Sequence, residues 1–295
     1  MQDLLFRGAA TALVTPFEKN NPDRIDESAF RNLVRRQCDA GIRALVTAGT
    51  TGEASALTDT EHIRLCEIAR EEAGAGMPII AGCGAPTTAR AVSLVREAAQ
   101  AGADAVLVVT PYYNKCSQEG LYRHYTAIAD ASPLPVILYE VPSRTGLHVT
   151  PETYARLAVH DNIVALKDAA GDLERVPLIR SMTGDHLAVY SGSDGVTVPM
   201  LSVGAVGVIS VLSNLCPYAV SEMCEAWFSG NTARAAELQC RYASLNRALF
   251  SEVNPIPVKC AMAQLGMCAE VFRLPLCPMN AEDSRRIAQM AEAFL

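Results

Sequence analysis

Eight short apolar runs recur along the chain, each broken by a Gly, Pro, Ser or Thr cluster and followed by a segment with helical spacing. They are "AATALVTPF" from Ala9, "ALVTAGTTGE" from Ala44, "PIIAGCGA" from Pro78 and "DAVLVVTPYYN" from Asp104. "PVILYEVPSRTG" from Pro135, "NIVALKDAAG" from Asn162, "LAVYSGSDG" from Leu187 and "AVGVISV" from Ala205 complete the set. Strands that are apolar throughout, rather than at alternate positions, are buried on both faces, as in a parallel sheet. Between them, "DESAFRNLVRRQCDAG" predicts a helix behind an acidic start, with Phe30, Leu33, Val34 and Cys38 on its inner face. Eight strand–helix alternations predict an α/β (β/α)8 TIM barrel. An open doubly wound sheet is the alternative, but it calls for a glycine fingerprint after the first strand, where this chain has "LVTPFEKN".

Beyond Val211 only helical patterns continue, among them "TARAAELQCRYASLNRALF" and "IPVKCAMAQLG". The chain therefore divides into a catalytic barrel, residues 1–229, and a C-terminal helical extension, residues 230–295. Composition narrows the function. Half the residues are hydrophobic and 19% charged, enough for a large core, yet no run approaches the ~18 apolar residues of a membrane span. The first twenty residues lack the basic start and cleavage site of a signal peptide, so a cytoplasmic protein is expected. Ten cysteines are scattered with no CxxC or Cys/His spacing and are expected to be buried small hydrophobes. No metal and no cofactor is expected. A net charge of -7 without a basic stripe argues against nucleic acid. A small-molecule enzyme is the leading class.

Barrel chemistry sits where the strands end. Those ends carry Thr15, Thr50, Thr51, Tyr112, Tyr113, Tyr139, Arg144, Lys167, Ser191, Gly192 and Ile209. Lys167 closes an apolar run, and if it points into the barrel, alternation turns Asp168 away from it. Desolvation then disfavours the ammonium form and favours an amine that attacks a carbonyl; the alternative is a lysine that snorkels to solvent. Tyr139 either relays protons beside it or caps the core with its hydroxyl in water. "AGTTGEAS" provides paired hydroxyls and backbone amides for a small carboxylate, or else a helix cap in which Thr50 or Thr51 leads and Glu53 sits in the first turn. Arg144, between Pro142 and Gly146, either holds a carboxylate bidentately or lies on the surface.

Taken together, "TALVTPF", "GTTGEA", "TPYYNKCSQEGLY", "LYEVPSRTG", "LKDAAGDL", "GVISV" and "NPIPVK" resemble, in order and spacing over essentially the whole chain, the dihydrodipicolinate synthase family. That family belongs to the pyruvate-dependent class I aldolases and lyases, which include N-acetylneuraminate lyase. The resemblance implies condensation of pyruvate with L-aspartate 4-semialdehyde in lysine and diaminopimelate synthesis. It implies Lys167 as the Schiff-base lysine, Tyr139 as proton donor and acceptor, and Thr50 as a relay between two tyrosines. The second of these, Tyr113, would reach in from a neighbouring subunit of a homotetramer built as a dimer of dimers. Thr51 and the backbone of Ile209 would bind pyruvate, with Gly192 also lining the substrate site, and Arg144 would hold the aldehyde's carboxylate. The rival within the family is an aldolase acting on a sugar acid, which apolar residues at the Arg144 position would mark. A catalytically dead barrel serving as a binding module would lack one of Lys167, Tyr139 or Thr50.

This chain departs from the family pattern at Glu140, where Asn is common, and at Asp168 and Ala170, where Glu and Thr are usual. By alternation Glu140 faces away from Tyr139, so altered helix–sheet contacts are expected rather than lost chemistry. Where relatives bind feedback lysine, it carries Ala54, Ser55, Asp59, Pro86 and Arg90, and keeps only His62 and Tyr112. Weak or absent inhibition by lysine is the expectation.

Overall fold

The computed structural model describes residues 4–294. Eight parallel strands close into a barrel: β1 (Gly8–Ala12), β2 (Ala44–Thr47), β3 (Ile79–Gly82), β4 (Ala105–Val109), β5 (Val136–Glu140), β6 (Ile163–Asp168), β7 (Ala188–Ser191) and β8 (Gly207–Ser210). Each coincides with one of the eight apolar runs, and β1 pairs with both β2 and β8, leaving no edge. Helices α1 (Glu27–Asp39), α2 (Asp59–Ala73), α3 (Thr88–Gln100), α4 (Gln118–Ala131), α5 (Pro151–Leu157), α6 (Arg175–Thr183), α7 (Thr197–Ser202) and α8 (Pro217–Phe228) form the outer ring.

Side-chain alternation splits the core in two. Ala10, Val46, Ile80, Leu107, Ile137, Tyr139, Ala165 and Ile209 fill the barrel interior. Leu45, Ile79, Val106, Leu138 and Leu166 face the helices. At the amino-terminal end, Phe6 stacks on Tyr190 with ring centres 4.3 Å apart, and the Tyr190 hydroxyl donates to the Phe6 carbonyl. Helices α9 (Thr232–Arg241), α10 (Ala243–Leu249), α11 (Ile256–Gln264) and α12 (Ala281–Glu292) follow the ring. Leu238, Leu245, Val258 and Ile287 from them join the same apolar core as the barrel helices.

Several local expectations are corrected. In α1 the Asp26 side chain caps the helix through Ala29 N, and the buried face is Phe30, Leu33, Val34 and Gln37; Cys38 is only half-buried. Gln37 is inside because it accepts a hydrogen bond from Thr11 and donates to the Ser213 carbonyl. A hairpin pairing Phe17–Glu18 with Asn21–Ile25 precedes α1 and has no counterpart among the expected strands. All ten cysteines are free thiols; Cys66, Cys83, Cys216, Cys224 and Cys260 are buried, whereas Cys240 and Cys277 are exposed rather than packed. Among the described residues no helix is long and apolar enough to cross a membrane.

Candidate active site

Tyr139 and Lys167 are partners in the β5–β6 ladder, so both project into the barrel mouth. The Lys167 Nζ lies 4.4 Å from the centre of the Tyr139 ring. Only 5% of Lys167 is exposed, and among the described residues its ammonium-bearing end meets the Tyr139 ring and makes no hydrogen bond or ion pair. It does not snorkel to solvent. Asp168 turns outward, its Oδ1 accepting from Ala170 N at 2.8 Å. A buried carboxylate that Lys167 acts on lies in the loop after β7: burial pushes the Asp194 carboxyl up, and the Ser210 hydroxyl, the amides of Leu212 and Val211 and Lys167 oppose that shift.

A cavity of about 290 Å³ opens above the strand ends. Thr50, Tyr139 and Arg144 line it. Thr51, Lys167, Ile209 and Gly192 are not in its wall, although Lys167 adjoins Tyr139 and Ile209 shares the barrel interior with it. Gly192 has to be small: a Cβ there would meet the Ala169 Cβ at 2.8 Å, and its amide donates to the Asp168 carbonyl at 2.7 Å. It thereby ties β7 to the residue after Lys167. Tyr113 stands apart from the cavity. It is 93% exposed with a φ of 68°, a left-handed conformation disfavoured for an aromatic residue, and its neighbour Tyr112 lines the cavity instead.

The turn after β2 is not the helix cap that its Thr and Glu allowed. The cap of α2 is Thr58, which forms a capping box with Glu61. The amides of Thr50 and Thr51 donate to no acceptor among the described residues, which leaves two adjacent donors for an anion. Glu53 sits at a φ of 57° and is wholly buried, accepting from Lys259 Nζ at 2.5 Å. The Lys259 ammonium also lies over the rings of Phe17 and Phe272, at 4.2 and 4.9 Å. Burial pushes its pKa down, against the opposing pull of Glu53. Glu53 was read from the sequence only as a first-turn residue of a helix cap, and Lys259 was assigned no role. Nor was Asn254, which completes the wall: its Nδ2 donates to Thr51 Oγ1 at 3.1 Å, and its carbonyl accepts from Arg144 Nη2 at 2.6 Å. Both residues come from the "VNPIPVK" stretch, more than two hundred residues from the turn they support. Arg144 is therefore held in the cavity wall, where desolvation pushes its pKa down.

The two carboxylates that depart from the family pattern face the helix layer. Glu140 is fully buried against His148, Tyr154 and Arg175. In the cavity wall, Arg90 donates to the Asp59 carboxylate from Nε and Nη2 at 3.0 and 2.7 Å. His62 lies between the carbonyls of Gly82 and Ala54, at 3.1 and 3.0 Å. No cluster of three His, Cys, Asp or Glu residues able to hold a metal occurs among the described residues.

The model of the dihydrodipicolinate synthetase family matches residues 5–294. The 4-hydroxy-tetrahydrodipicolinate synthase of Geobacter sulfurreducens is 46% identical over 290 residues, covering 98% of this chain and 99% of the relative. That of Trichlorobacter lovleyi is 45% identical with the same coverage. Among solved structures, dihydrodipicolinate synthase from Aquifex aeolicus superposes with a TM-score of 0.94 at 40% identity, covering 98% of each chain. The chloride-inhibited Acinetobacter baumannii enzyme, solved with pyruvate, gives a TM-score of 0.94 at 41% identity, covering 98% of this chain and 99% of the other. An unpaired lysine beside a tyrosine in the mouth of a closed barrel, and full-length matches of this strength, lead to one conclusion: the chain belongs to the dihydrodipicolinate synthetase family.

Proposed function

We propose that the protein is a lyase that condenses pyruvate with L-aspartate 4-semialdehyde through a Schiff base on Lys167, the 4-hydroxy-tetrahydrodipicolinate synthase reaction of lysine and diaminopimelate synthesis. The observation that carries this reading is Lys167 itself, buried and unpaired beside Tyr139. The amine adds to the ketone of pyruvate and water leaves, forming an iminium. A methyl proton then departs as its electron pair moves toward the iminium nitrogen, and the resulting enamine attacks the aldehyde carbon. Tyr139, Thr50 and the Tyr113 of a partner subunit carry the protons. The substrate's own amine finally attacks the imine carbon, closing the ring and releasing Lys167. Thr51, with the free amides of its turn, the backbone of Ile209 and the Gly192 turn receive pyruvate. Arg144 receives the carboxylate of the second substrate.

The protein is read as a cytoplasmic homotetramer, a dimer of dimers. Support comes from Tyr113, whose exposed ring and left-handed backbone suit a residue ordered by a second copy. The sugar-acid aldolase reading is not favoured, because the Arg144 guanidinium in the cavity wall suits a carboxylate-bearing aldehyde. Parallel assays with aspartate semialdehyde and N-acetylneuraminate separate the two; turnover confined to the sugar acid would overturn the assignment.

Arg144→Ala is expected to lower kcat/KM for the semialdehyde roughly 10- to 100-fold, the scale of about 1–3 kcal/mol for a lost charge-assisted contact, while pyruvate imine formation persists. Equal loss in both half-reactions would remove Arg144 from the second-substrate site. A further expectation concerns L-lysine. Pro86 has no side-chain amide to offer, and the Asp59 carboxylate is already paired with Arg90. A steady-state titration should show little inhibition at millimolar lysine. Half-inhibition below about 1 mM, a ~4 kcal/mol interaction, would contradict this.

A further inference from the structure

Behind the reacting pair, on the face of the barrel wall turned toward the helices, lies a second pair in the same register. Glu140 is opposite Asp168 as Tyr139 is opposite Lys167. Each catalytic side chain is thus followed by a buried carboxylate, and the two are treated very differently. Glu140 is saturated: Oε1 accepts from His148 Nδ1 at 3.1 Å, Arg175 Nη1 at 3.1 Å and Val149 N at 3.3 Å. Its Oε2 accepts from Arg175 Nη2 at 3.1 Å and from the Tyr154 hydroxyl. Asp168 has one partner, Ala170 N on Oδ1, and its buried Oδ2 has none. Burial pushes the Asp168 carboxyl up, and Glu140 adds to that while Arg175 opposes it.

Arg175 is the first residue of α6, directly after the loop 169–174 that leaves Lys167. Its fork to Glu140 therefore ties that helix start to the end of β5, and Nη2 adds a bond to the Val149 carbonyl at 2.6 Å. The backbone closes the same circuit, with Ala169 N donating to the Glu140 carbonyl at 2.9 Å. We propose that Glu140 and Arg175 are a positioning pair for the reaction: their buried two-point bridge fixes the strand ends bearing Tyr139 and Lys167 and keeps the arginine from pulling on Asp168. The inference rests on the reading of Lys167 as the nucleophile. The physical reason is that a planar guanidinium bonded at two points fixes orientation as well as distance. If Glu140 loses its charge, the one buried carboxylate left to Arg175 is Asp168, whose free oxygen would draw the residue next to Lys167 outward.

The test uses the full-length enzyme. E140Q keeps the size and one acceptor oxygen but not the charge. It is expected to lower kcat about 10- to 100-fold, the scale of a small misplacement of a reacting group, and to slow borohydride trapping of pyruvate equally. KM for pyruvate should stay within about twofold, because Thr51 and Ile209 are untouched. The double variant E140Q/R175M removes the pull on Asp168 and should recover most of the trapping rate. R175K, which keeps the cation without the fork, should fall between parent and E140Q, and it serves as the test if E140Q does not fold. Trapping by E140Q, or by R175K in its place, at the parental rate overturns the positioning role, as does a double variant slower than E140Q. A parent enzyme that fails to trap pyruvate on Lys167 removes the Schiff-base reading instead, and the inference with it.

Discussion

Lys167→Ala is expected to abolish both pyruvate imine formation and turnover, with losses of at least about 10³-fold, the scale on which members of a catalytic unit fail. Lys167→Arg should fail as completely. A guanidinium stays protonated and has no free electron pair to add to a ketone, however well it fills the space. Both variants should fold, because Lys167 makes no direct ion pair among the described residues and the buried Asp194 carboxylate keeps the Ser210 hydroxyl and the amides of Val211 and Leu212 as donors. The comparison separates chemistry from packing: a lysine serving only to fill the barrel mouth would be replaced tolerably by arginine or by a smaller apolar residue. Unchanged melting with lost trapping is the expected pattern, read by thermal denaturation beside steady-state rates. Substantial turnover by either variant would put the nucleophile elsewhere.

The other large effect falls on stability. Lys259→Met leaves the Glu53 carboxylate wholly buried without its cation and with the Arg273 amide, at 3.4 Å, as its remaining donor, a loss of the kind that costs about 3–5 kcal/mol. The melting temperature should drop on the order of 10 °C. Lys259 reaches Glu53 from α11, so the damage should appear as a loosened turn after β2, where Thr50 and Thr51 sit, and activity should decline with stability. The double variant Glu53→Gln with Lys259→Met is neutral at the site and should recover most of the lost melting temperature, since the penalty lies in the unpaired charge. Melting of Lys259→Met within about 2 °C of the parent would show that water or the Arg273 amide suffices to hold the carboxylate.

How far the fold was legible in the sequence follows from where each residue gets its partner. The eight strands were legible because burial on both faces makes each one a continuous apolar run, and closure followed from their number. Lys167 was legible as an exception within such a run. The hairpin from Phe17 to Ile25 was not, because its second strand, "NPDRI", is mostly exposed and carries no apolar alternation. Gln37 was missed for a related reason: a buried amide is stabilised by Thr11 and Ser213, which lie in other elements. Glu53 shows a signal misassigned. Its neighbourhood suggested a helix cap, while the true cap, Thr58 with Glu61, was written a few residues on in "TDTE". Asn254, Lys259 and Arg273 support the turn and the hairpin from the far end of the chain, and no local pattern announces contacts of such sequence separation.

The sequence contains four lysines, at positions 19, 115, 167 and 259. Lys19 and Lys115 are exposed, and Lys259 is bound to Glu53, so only Lys167 combines burial with an amine free of an ion pair. The most direct measurement is to incubate the enzyme with pyruvate and borohydride, digest it and map the reduced adduct by mass spectrometry. The account predicts a carboxyethyl group on Lys167 alone, formed only when pyruvate is present. Modification confined to another lysine, or an enzyme that turns over aspartate semialdehyde without forming any adduct, would contradict it.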